Sequence, residues 1–140
     1  MSGEDEWLFA TGTRGESPML LRLRSPRPSD EERAASPYLV LIRWPFDGDE
    51  SHIPDEDDLD VMVNFEEALF AAMDAEGWGT GVAVVTSDGV REWRLYTPDI
   101  ERFQEGMNDA LAGLPRYPLE FATFDDPEWN AYIELESTLA

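Results

Sequence analysis

Gly79-Thr80-Gly81-Val82-Ala83-Val84-Val85-Thr86-Ser87-Asp88-Gly89-Val90-Arg91-Glu92-Trp93-Arg94-Leu95-Tyr96-Thr97-Pro98 is the stretch that decides the fold. Two runs rich in β-branched and aromatic residues, Gly79 to Val85 and Val90 to Tyr96, flank Asp88-Gly89. Asp-Gly suits a two-residue hairpin loop because the primed turn matching strand twist needs positive φ at its central positions. Beyond it Thr97 is read as a helix cap with Pro98 in the first helical position. Ile100, Phe103, Met107, Ala110, Leu111 and Leu114 then form one apolar stripe, ending at Gly113 and Pro115.

Upstream, Leu59, Met62, Val63, Leu69, Phe70 and Met73 keep a 3.6-residue period, with Asp55 after Pro54 as N-cap and Gly77 as stop. Tyr38 to Trp44 is apolar on both faces, as a central strand is. Tyr117 to Thr123 follows the second helix as a further strand, and Asp126-Pro127 opens a short last helix with Trp129, Tyr132 and Ile133. At the start, Trp7 to Thr13 and Met19 to Arg24 read as a hairpin turning over Gly12 to Pro18, the second strand setting Met19, Leu21 and Leu23 against Leu20, Arg22 and Arg24. The expected fold is α+β: a ferredoxin-like βαββαβ core, an N-terminal β-hairpin extending its antiparallel sheet, and a short C-terminal helix. Residues 1–140 are expected to form a single domain, with its core running from about 7 to 135 and residues 1–5 disordered.

Composition narrows function by exclusion. The 140 residues carry 31 acids against 10 bases, all arginine, for a formal charge of −21, with one His and no Cys. Proteins bind phosphate backbones by setting Lys and Arg against them, so direct nucleic-acid or anionic-membrane binding is not expected. The same field attracts a basic protein surface, although high charge also serves solubility alone. Sixteen aromatic residues are too many for a disordered acidic chain. The missing thiols exclude disulfides, a Cys nucleophile and thiolate metal sites. An acidic start and the lack of a long apolar run lead us to expect a cytoplasmic, bacterial-type protein.

The charge is uneven: about −2 over residues 1–35 and −11 over residues 36–78. Asp49, Glu50, Asp55, Glu56, Asp57 and Asp58 are the candidate docking residues for a basic partner, with Trp44 and Phe46 as apolar anchors. Spacing in this loop sets Asp47, Asp49, Asp55 and Asp58 at calcium-loop positions 1, 3, 9 and 12. His52 occupies the place of the turn glycine, and Asp58 stands where a bidentate Glu belongs, so neither metal nor cofactor is expected. His52 reads as a solvated loop histidine, since nothing near it in sequence supplies a nucleophile with an orienting partner. Glu66 falls on the apolar stripe of the first long helix and is read as reaching water at its edge, the alternative being a partner such as Arg43 or Arg94.

Arg91-Glu92-Trp93-Arg94-Leu95-Tyr96-Thr97-Pro98-Asp99 followed by Phe103, the preceding Gly81 to Gly89 arm, and Asp126-Pro127 with Trp129 and Tyr132 resemble an uncharacterised bacterial group, domain-of-unknown-function family 695. The resemblance covers about Trp7 to Tyr132. It implies no established activity. An association of such domains with ones similar to the B-type regulators of ribonuclease E, acidic proteins with a ferredoxin-like core, implies binding and regulation over catalysis. Glu92, Trp93, Tyr96, Asp126, Trp129 and Tyr132 are read as the packing signature of a strand-to-helix corner. The leading expectation is therefore a non-enzymatic module for a basic protein, a toxin-neutralising immunity protein being a special case. The alternatives are a carboxylate- or metal-dependent enzyme and a structural part of a larger assembly. Oligomeric state stays open.

Overall fold

The runs 38–45, 80–87 and 90–97 are largely buried on both faces of the sheet, as central strands are. The computed structural model describes residues 6–14, 17–25, 29–46, 56–87, 89–114, 117 and 119–138. Its elements are β1 (Glu6–Arg14), β2 (Ser17–Ser25), α1 (Asp30–Ala35), β3 (Tyr38–Pro45), α2 (Glu56–Glu76), β4 (Thr80–Ser87), β5 (Val90–Thr97), α3 (Ile100–Leu111), β6 (Glu120–Asp125) and α4 (Asn130–Thr138). The architecture is α+β, with one six-stranded sheet ordered β1-β2-β4-β5-β3-β6 and every neighbouring pair antiparallel. The α+β class and an antiparallel sheet extended by the N-terminal hairpin are as expected, the hairpin joining through β2 against β4.

On one face Val40, Ile42 and Trp44 of β3 and Trp93 and Leu95 of β5 meet Met62, Phe65, Leu69 and Met73 of α2 and Phe103 and Met107 of α3. On the other, Leu21, Leu23, Leu39, Leu41 and Tyr96 meet Trp129, Tyr132 and Leu135, the last two on α4. Two packed faces explain why β3 is apolar on both sides. Gly106 lets α3 lie directly on Trp78: a Cβ there would fall 2.2 Å from Trp78 Cε2. Gly89 adopts φ +76°, the conformation that the Asp-Gly loop requires.

Several boundaries differ from expectation, each for a local reason. Asp99 caps α3, its carboxylate accepting from the backbone N–H groups of Glu101 and Arg102. Thr97 remains the last residue of β5, its hydroxyl donating 2.8 Å to the Trp78 carbonyl. Pairing with β3 sets β6 at Glu120–Asp125, later than the expected Tyr117 to Thr123. The start of α2 agrees with the reading of Asp55 as cap: Glu56, Asp57 and Asp58 form its first turn, where carboxylates suit the helix dipole. No element was expected at the short α1; Ser29 caps it by accepting from Glu32 N–H. Among the described residues no helix is long and apolar enough to cross a membrane.

Candidate functional site

Three polar constellations are built into this frame, one of them beside a cleft. The first lies on the α4 face. Asp126 is buried and accepts from Tyr96 Oη at 2.7 Å and from the backbone N–H groups of Asn130 and Ala131 at 2.9 and 3.1 Å, which caps α4. Trp129 stacks on Tyr96 with ring centroids 4.1 Å apart, its indole donates to the Ser36 carbonyl, and its backbone sits at φ +60°. Tyr132 donates to the Arg24 carbonyl, which fastens α4 to β2. Burial pushes the Tyr96 hydroxyl above the usual phenol range, and the Asp126 carboxylate adds to it, so Tyr96 stays neutral and donates.

The second, on the same face, centres on Glu92. It accepts from Arg43 Nε at 2.8 Å and Arg94 Nε at 2.9 Å, and Arg94 donates on to the Ala131 carbonyl. Burial works to raise its pKa, but the two guanidinium hydrogen bonds outweigh that and hold the carboxyl below its ordinary range. A depressed folded-state pKa gives stability that is full above the unfolded value and lost as pH falls through the folded one. Low pH also relieves repulsion among the other acids, so the informative quantity is a difference. The stability gap between wild type and Glu92→Gln, from urea midpoints, is expected to be largest at neutral pH and to shrink below about pH 4. A gap that widens on acidification contradicts this account.

The third lies beneath α2. Glu66 is buried, which corrects the expectation that it reaches water at the stripe's edge. The edge reading fails because the polar face of β2 is turned towards α2 and presents Arg22 to it. Glu66 Oε2 accepts from Arg22 Nη2 at 2.5 Å, Oε1 accepts from Trp93 Nε1 at 2.8 Å, and Arg91 Nη2 stands 3.5 Å from Oε1. Arg91 also donates to Thr86 Oγ1 at 3.0 Å. Arg43 and Arg94, the partners considered from sequence, serve Glu92 on the other side of the sheet.

This cluster borders a cleft between the β1–β2 hairpin and α2. One cavity of about 440 Å³ is walled by Phe9, Leu20, Leu59, Val63, Val84 and Thr86, with Arg22 and Arg91. An adjoining one is lined by Trp7, Phe9, Arg22, Glu66 and Phe70. Arg22 and Arg24 both lie 5.0 Å from the Trp7 ring centroid. No single stretch of sequence announces the site, since β1, β2, β4, β5 and α2 all contribute. The available signal was arginine alternating with leucine in β2.

Of the residues expected to meet a partner, Asp49, Glu50 and Asp55 lie outside the described residues, as do His52 and Asp47. Glu56, Asp57 and Asp58 are exposed at the start of α2. Trp44 is buried against Phe65, Trp93 and Tyr117, and Phe46 is half-buried with its N–H bonded to the Gly89 carbonyl. Among the described residues no three His, Cys, Asp or Glu side chains are grouped to hold a metal ion.

Fold and clusters together define an α+β domain whose interior carboxylates are each held by arginine or aromatic donors. The chain belongs to the family of unknown function DUF695, whose model matches residues 5–135. No curated protein matches it.

Proposed function

We propose that this protein is a non-enzymatic interaction module that docks its helical layer against a basic protein surface. The observation that carries the reading is the outer surface of α2 and α3. These helices hold eleven carboxylates and a single arginine, Arg102; Glu66 is buried and the other ten are exposed. Asp49, Glu50 and Asp55 precede α2 in sequence and add to its charge. Phe46, at the end of β3, supplies an apolar anchor; Trp44 contributes through the core it packs.

A carboxylate enzyme would gather acids in a partly dry concavity that separates their pKa values, whereas these ten side chains face water. A toxin-neutralising immunity protein is the special case in which the basic partner is a nuclease, distinguished by the neighbouring gene. We also infer a ferredoxin-like core for β3 to β6. Its support is the order β4-β5-β3-β6, in which β5 lies between the two strands that α2 connects. The test is affinity capture from the source cell at about 0.1 M and about 1 M salt, between which the screening length falls from ~10 to ~3 Å. Basic proteins retained only at low salt are the expected result; neutral or acidic partners, or capture indifferent to salt, would overturn the proposal.

A further inference from the structure

We propose that the cleft between the β1–β2 hairpin and α2 binds an aliphatic carboxylate, with Arg22 and Arg91 taking the carboxylate and the apolar walls taking the chain. Charge comes first. Two guanidiniums share one carboxylate, Glu66, which leaves one positive charge in excess at this spot in a protein of net −21. Donor capacity agrees. Both guanidiniums line the cavity, and Arg91 as a whole is only 9% exposed, so its donors are held away from bulk water. A charge-assisted bond to a carboxylate is among the strongest that such donors make.

Shape supplies the rest. The cavity of about 440 Å³ falls within the roughly 300–1,000 Å³ of ligand pockets, and its walls of Phe9, Leu20, Leu59, Val63 and Val84 suit a hydrocarbon chain. One surplus positive charge matches a monoanion. A phosphate dianion exceeds it and is further opposed by the surrounding acids, while a cationic or neutral ligand leaves the arginines unmet.

The experiment titrates the full chain with octanoate, octanol and octylamine, by calorimetry and by amide NMR. Saturable octanoate binding that moves the amides of Val84, Thr86 and Arg91 is expected, with the other two compounds weaker by about tenfold or more. Arg91→Met keeps one arginine against Glu66 and weakens octanoate by a similar factor. Leu59→Trp obstructs the cavity without altering charge and also weakens it; should Arg91→Met unfold, Leu59→Trp decides. Octanoate binding no better than octanol, binding unchanged in the folded variants, or no saturable binding at all would overturn the proposal.

Discussion

Glu66→Gln is expected to lower stability by about 3 kcal/mol in urea unfolding, because it removes the one carboxylate that two guanidiniums share. Breaking a buried pair from one side costs ~3–5 kcal/mol, since the abandoned charge stays desolvated. The lower end applies because the Arg22 side chain is 24% exposed and can turn towards water, whereas Arg91 at 10% cannot. A loss of this size is a large share of the ~5–15 kcal/mol that holds a typical domain folded. Replacing Arg22, Glu66 and Arg91 together by leucine or methionine recovers most of it, as apolar substitution of whole buried ionic clusters does elsewhere. If the single change costs well under 1 kcal/mol, or the triple change costs more than the single one, the cluster does not carry the charge balance described above.

The second large effect lies on the opposite face. Trp129→Ala is expected to cost about 3–5 kcal/mol, through loss of the Tyr96 stack and of the indole bond to the Ser36 carbonyl. Trp129→Gly tests a finer point. Trp129 sits at φ +60°, a conformation that L side chains disfavour and glycine does not. The glycine variant loses the same ring but is relieved of the left-handed penalty, so it should be more stable than the alanine variant by about 1 kcal/mol. Urea midpoints of the two variants give the order directly. Alanine equal to or better than glycine would show that the backbone at this position carries no strain.

These two residues also mark what the sequence made legible. Local signals were sufficient for the β4–β5 hairpin, for α2 and α3, and for joining β1 and β2, because Asp-Gly and 3.6-residue stripes act over neighbouring positions. Asp126 does accept from the first backbone N–H groups of α4, but the helix begins at Asn130, later than expected, because Trp129 turns the chain at φ +60°. Partners across the sheet were not legible. Glu66 on an apolar stripe signalled a conflict, but its arginines come from β2 and β5, and only the sheet order brings them together. The alternation of Arg22 and Arg24 with leucine does not announce a buried face, because the element covering it, α2, begins 32 residues after Arg24. Propensity likewise favoured Thr97 as a cap, yet pairing with Tyr38 kept it in β5 and passed the cap to Asp99. Asp55 read as a cap already placed Glu56, Asp57 and Asp58 in the first turn of α2, where they lie.

The acidic docking layer proposed for α2 and α3 is read out by association kinetics with a captured basic partner. The comparison is between wild type and a variant in which Glu56→Gln, Asp57→Asn, Asp58→Asn and Asp60→Asn neutralise the first turns of α2, all four positions being exposed. Electrostatic steering acts mainly on the encounter rate and is screened by salt. Wild type is expected to associate about tenfold or more faster than the variant at low salt, with the difference vanishing near 1 M. Equal association rates at low salt, with both proteins folded, would contradict it.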